Sequence, residues 1–124
     1  MTALNKQALR EVANAANIAS WGKWESYKPH KGARGYEVRV GVKAVAQHCL
    51  KVDSAFIAAA NPATVLALLD DLEAAEKRIA EHRKVLNSLA AVARRYLPDY
   101  DEHPEIQAAD ELLESTAGLG VKGE

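Results

Sequence analysis

Between Pro62 and Leu97 neither glycine nor proline interrupts the chain. This uninterrupted stretch predicts one long helix, and at 1.5 Å per residue it runs roughly 54 Å. The whole chain has 124 residues, and a compact domain of that length has a diameter of only about 35 Å. The helix must therefore protrude or lie along a partner. Its apolar residues recur in alternating steps of three and four, as a coiled-coil seam requires. Val65, Leu72, Ile79, Leu86 and Ala93 take the a positions, and Leu68, Ala75, His82, Leu89 and Tyr96 the d positions. Leu66, Leu69, Val85, Val92 and Leu97 widen the stripe, and a wider stripe favours a bundle over a bare two-stranded rope. His82 in the seam either fixes register at a cost in stability or sits wet where the seam splays.

The residues before this helix are of mixed character. Thr2 to Ser20 reads as a first helix with Thr2 as N-cap, and Leu4, Ala8, Val12, Ala15 and Ala19 form its apolar face. An aromatic, irregular segment from Trp21 to Tyr27 leads into a basic loop broken by Pro29, Gly32 and Gly35. Tyr36–Val40 alternates as a half-buried strand does, and Gly41 marks a turn. Residues 44–50 return as a strand or form a helix, since alanine and glutamine are weak strand formers. A third strand is expected near Lys23–Lys28. Asp53 reads as the N-cap of a short helix, with Val52 and Ile57 as a hydrophobic staple. That helix stops at Asn61-Pro62, where Asn61 caps the long helix and Pro62 takes its first position. After Leu97-Pro98 comes an acidic connector, then a short helix from Pro104 with Ile106, Ala109 and Leu113 on one face, ended by Gly118 and Gly120. The fold class is thus α+β and mostly helical, with a small antiparallel sheet near the N-terminus and a long coiled-coil-like helix. Three regions follow: 1–60, 61–97 and 98–124.

Charge is unevenly distributed. Through Val52 nine basic residues face three acidic ones, and from Asp53 onward seven face fourteen. Such a split suits an anionic partner or two modules that attract each other. Trp21, Trp24, Tyr27 and Tyr36 are interleaved with Lys23, Lys28, Lys31, Arg34 and Arg39. Aromatic faces beside cations can stack bases and neutralise phosphates. The plainer reading, which the near-neutral overall charge favours, has both tryptophans anchoring the small sheet to the long helix and the lysines blunting its edges. The single cysteine, Cys49, excludes an internal disulfide. His48 and Cys49 are adjacent, whereas zinc ligand pairs stand two to four residues apart, so the expectation is no metal and no cofactor. Cys49 reads as a buried thiol. No nucleophile–base–orienter set and no phosphate loop is legible, so no catalytic residue is assigned and the chain is expected not to be an enzyme. The N-terminus lacks an apolar signal core and no run is long enough to span a membrane, which points to the cytoplasm.

The block Asp53–Glu81, DSAFIAAANPATVLALLDDLEAAEKRIAE, resembles the signature block of Ead-like proteins of lambdoid bacteriophages and prophages of enteric bacteria. The opening LNKQALRE, Leu4–Glu11, is similar to their N-terminus, and the tryptophans before a short β segment fit as well. The likeness covers roughly residues 1 to 82. It implies a non-structural accessory protein of a family associated with early expression and the lysis–lysogeny decision, with no catalytic residues to carry over. The expected partners are a second copy through the long helix and a host or phage protein, with nucleic acid as the alternative. Charges beside the seam favour antiparallel copies: a parallel pair sets Asp71 against Glu76 and Arg78 against Arg83, whereas an antiparallel one can set Asp71 against Arg78 or Glu76 against Arg83.

Overall fold

The structure is a computed structural model and describes residues 4–97, 99 and 102–117. In chain order the elements are α1 (Lys6–Ala19), β1 (Trp24–Tyr27), β2 (Tyr36–Val40), β3 (Lys43–Cys49), α2 (Lys51–Ala59), α3 (Pro62–Tyr96) and α4 (Pro104–Ala117). The α+β class expected from sequence is the one observed. The chain forms two compact units, one of Gln7–Asp70 and one of Met1–Lys6 with Asp71–Glu124, so the division falls inside α3.

In the first of these units the strands form an antiparallel sheet in the order β1-β2-β3. Residues 44–50 are therefore strand up to Cys49, not helix. Pairing sets Trp24 opposite Val40 and Ser26 opposite Val38. The Gly41-Val42 turn joins β2 to β3, and Gly41 has φ 61°, the positive value that two-residue hairpin turns demand of their first central residue. Gly35 also needs to be glycine: a Cβ there would lie 3.0 Å from the Cys49 carbonyl oxygen. Next to this close approach the ladder slips in register and His48 takes φ 62°, the backbone signature of a bulge. Cys49 is half-buried, less enclosed than its sequence suggested, and His48 is exposed.

Helix α2 packs against the sheet. Val38 and Ser54 are completely buried. Ser26 Oγ and Ser54 Oγ share a hydrogen bond of 2.5 Å, and Ser54 Oγ also donates to the Lys51 carbonyl. Asp53 is not the N-cap expected of it. The cap position falls to Leu50, in extended backbone and with no side-chain hydrogen bond, and Asp53 sits in the first turn. The strand runs into the helix with one residue between them, so the helix starts earlier and Asp53 instead complements the N-terminal dipole. Asn61 does cap α3. Its Oδ1 accepts from the Thr64 N–H at 3.0 Å, and its Nδ2 donates to the Ala58 carbonyl at 2.9 Å.

The apolar face expected of α1 is also not the covered one. Leu4, Ala8, Val12, Ala15 and Ala19 are exposed, whereas Ala13 is buried and Leu9, Ala16 and Ser20 are half-buried. Both stripes have helical spacing. The covered one carries Arg10, which pairs with Asp70 at 3.0 Å, and its alanines permit close approach. Thr2 lies outside the described residues, and Asn5, a residue type suited to an N-cap, directly precedes the helix. In α4 the half-buried residues include Ile106, Ala109 and Leu113, as the sequence predicts. Gly118 and Gly120 fall outside the described residues.

Removing the Asn61 side chain takes away two bonds at once. Asn61→Ala should lower unfolding free energy by about 1–2 kcal/mol in urea titration, while Asp53→Ala should lower it by no more than about 1 kcal/mol, a dipole contribution alone. The reverse ranking would contradict the cap assignment.

Candidate interaction surfaces

Helix α3 is about 52 Å long, and its own chain covers one edge of it. The buried residues along it include Pro62, Leu69 and Ala90; Val65, Leu66, Ala75, Glu76, Arg83, Leu86 and Ala93 are half-buried. This edge joins the a positions to the next position round the helix (Leu69, Glu76, Arg83, Ala90), so it is rotated away from the a/d line. Glu76 forms an ion pair with Lys6 there, and Arg83 Nε is buried with no hydrogen-bond partner among the described residues. Of the seam residues named from sequence, Val65, Ala75, Leu86 and Ala93 are thus half-buried, while Leu68, Leu72, Ile79, His82, Leu89 and Tyr96 are exposed. Leu69 is 4% exposed and Leu89 61%, a contrast that defines the covered and open edges. His82 is on the open side, with Nδ1 at 2.7 Å from the Arg78 carbonyl oxygen. Leu112 and Leu113 of α4 border a groove of about 660 Å³ along Ala75, Ile79, His82 and Leu86. Leu112, which helical periodicity alone did not single out, belongs to this surface.

The second surface is the aromatic, basic one. Its parts are paired among themselves. The Arg39 guanidinium lies 4.1 Å from the centre of the Tyr27 ring and donates to Glu37 at 2.8 Å. Lys28 Nζ lies 5.7 Å from the Tyr36 ring centre. Glu37 also accepts from Gln47. The face of the sheet that carries Tyr27 and Arg39 is therefore a mixed-charge network with cations already on its rings. Trp24 donates from Nε1 to the Ser20 carbonyl at 2.9 Å, tying β1 to the end of α1. Trp21 is 79% exposed. The expected anchoring of the sheet by both tryptophans is thus corrected: one closes a local turn and the other faces solvent. Lys23, Lys31 and Arg34 are exposed on loops. Lys43, on an edge strand, donates to the Ala19 carbonyl and Ser20 Oγ.

Among the described residues no group of three His, Cys, Asp or Glu side chains is placed to hold a metal. No single described helix is long and apolar enough to cross a membrane.

The two edges of α3 should respond differently to truncation. Leu69→Ala should destabilise the fold by about 2–4 kcal/mol, because it empties a buried site. Leu89→Ala should change the stability of the single chain by less than about 0.5 kcal/mol, measured by urea unfolding in dilute solution. Equal losses would contradict the assignment of a covered and an open edge.

The chain matches the family model described as Ead/Ea22-like protein over residues 2–118. The match extends well past the residue-82 limit of the likeness read from the signature block, and takes in the rest of α3 and α4. No curated protein and no solved structure matches the chain. With nearly the whole chain covered by the match, helices and sheet alike, the protein belongs to the Ead/Ea22-like protein family, a family of bacteriophages.

Proposed function

We propose that this protein is a non-enzymatic phage accessory protein that acts by binding other proteins, in the cytoplasm of the bacterial host. The observation that carries the reading is the open apolar edge of α3, with Val85, Leu89, Val92 and Tyr96 all more than half exposed. An apolar row of that length on a folded soluble domain marks an interaction surface. The long helix joins copies of the chain. In the other unit, Val52 and Phe56 of α2 and Val12 and Ile18 of α1 are also exposed and offer apolar surface to a host or phage protein. Membership of a phage family supports a role during infection, and by analogy with small phage accessory proteins the outcome is modulation of the lysis–lysogeny decision or inhibition of a host nuclease or defence system.

The competing nucleic-acid reading draws less support, because Arg39 and Lys28 already lie over Tyr27 and Tyr36. Titration of labelled duplex and single-stranded DNA at about 50 mM salt should give no binding tighter than ~100 µM, the weak end of non-specific affinity. A micromolar affinity that falls steeply with added salt would favour the nucleic-acid module instead.

The biological arm uses a host strain expressing the protein and challenged with a temperate phage. The wild-type chain should shift the frequency of lysogeny or of phage survival, and Phe56→Asp together with Leu89→Asp should abolish that shift. A doubly substituted protein as active as the wild type would remove the apolar surfaces from the account.

A further inference from the structure

Within α3, the residues Arg78, His82, Val85, Leu89, Val92 and Tyr96 recur in steps of four and three. All six are exposed, with Val85 at 59%, Leu89 at 61%, Val92 at 54% and Tyr96 at 70%. They form a second seven-residue repeat, displaced from the one the chain covers with its own residues. We propose that this edge is the contact between two copies of the chain, packed antiparallel about a twofold axis beside Ser88. The inference rests on the homo-oligomeric reading above and adds to it the face, direction and register.

In an antiparallel pair, residues facing across the seam alternate between the two sets of core positions, and flanking positions on the same side face each other. One register sets Leu89 against the partner's Val85 and Val85 against the partner's Leu89. The same register sets His82 against the partner's Val92 and Arg78 against the partner's Tyr96, where a guanidinium over a phenol ring is favourable. On one flank Glu81 then faces the partner's Arg95, and by symmetry this pair occurs twice. Glu81 and Arg95 are both exposed, and neither makes an ion pair among the described residues. The other flank carries Leu112 of α4, which lines one groove with His82, Val85, Leu86 and Leu89 and adds apolar surface beside the seam. Sliding the helices by one repeat sets Leu89 against Arg78 in one direction, and in the other carries Glu81 past the end of the partner helix. A parallel pair would set Arg78 on Arg78 and His82 on His82 and give Glu81 no cation. The face is thus complementary to itself in one direction and one register, which a twofold contact requires.

The test is mass by sedimentation equilibrium on the full chain at low ionic strength, where surface pairs are least screened. The wild type should show twice the 13.4 kDa chain mass. Leu89→Asp should give the single-chain mass with unchanged far-ultraviolet circular dichroism, since Leu89 is exposed in the chain itself. Glu81→Arg or Arg95→Glu alone should weaken the dimer about tenfold, the effect of about 1.4 kcal/mol. The two together should restore it to within about threefold. A wild-type chain that stays single at 100 µM (an order-of-magnitude ceiling for a functional association) would overturn this inference and the homo-oligomeric reading together. An oligomer unmoved by Leu89→Asp and by both charge changes would overturn the inference alone and place the contact elsewhere. A double variant no tighter than either single one would overturn the register.

Discussion

The apolar circumference of α3 exceeds what this chain can cover. Among the described residues, the hydrophobic side chains reduced to less than a tenth of their exposure are Ala13, Val38, Ala58, Leu69 and Ala90. Three of the five are alanines, so each buries little area and contributes correspondingly little to stability. A helix of about 52 Å carrying leucines, valines and an isoleucine along its length cannot satisfy them with so few neighbours. The remaining features follow from this imbalance. One edge of α3 meets the chain's own residues, and the other stays exposed.

The elements were legible where local chemistry is decisive. A proline-free, glycine-free stretch and the Asn61-Pro62 boundary fix α3, because an asparagine cap and an N1 proline have direct backbone reasons. Alternation at Tyr36–Val40 and the turn at Gly41 identify β2 and its hairpin for the same kind of reason. Faces were less legible than elements. On α1 two stripes of helical spacing compete, and the one with the larger aliphatics lost to the one whose Arg10 reaches Asp70. Periodicity cannot rank two stripes when charge and close approach choose between them. Asp53 illustrates the same limit at a boundary: its residue type suits a cap, but the strand ends so near that Leu50 occupies the position.

The seam on α3 was visible as a repeat and was wider than a and d positions alone require. What the sequence could not tell was that the width belongs to two adjacent repeats. Leu69, Glu76, Arg83 and Ala90 complete one of them with the a positions, and Val85 and Val92 complete the other with the d positions. Only the burial difference between Leu69 and Leu89 separates them. The aromatic, basic segment was legible in composition, but its use was not. Cation and ring sit together in the structure as in the sequence, yet they engage each other, with Glu37 balancing Arg39.

The central claim, that the open edge of α3 meets a second copy antiparallel about a twofold axis beside Ser88, is tested most directly by distances between spin labels. With Cys49 replaced by serine, one variant carries a label at Ser88→Cys and another at Lys77→Cys, both exposed positions of α3. Antiparallel packing predicts a label-to-label distance within about 20 Å at residue 88, given helix axes 8–10 Å apart. At residue 77 it predicts a distance of roughly 30 Å, the axial offset at 1.5 Å per residue. The same short distance at both positions would mean parallel helices and would contradict the account.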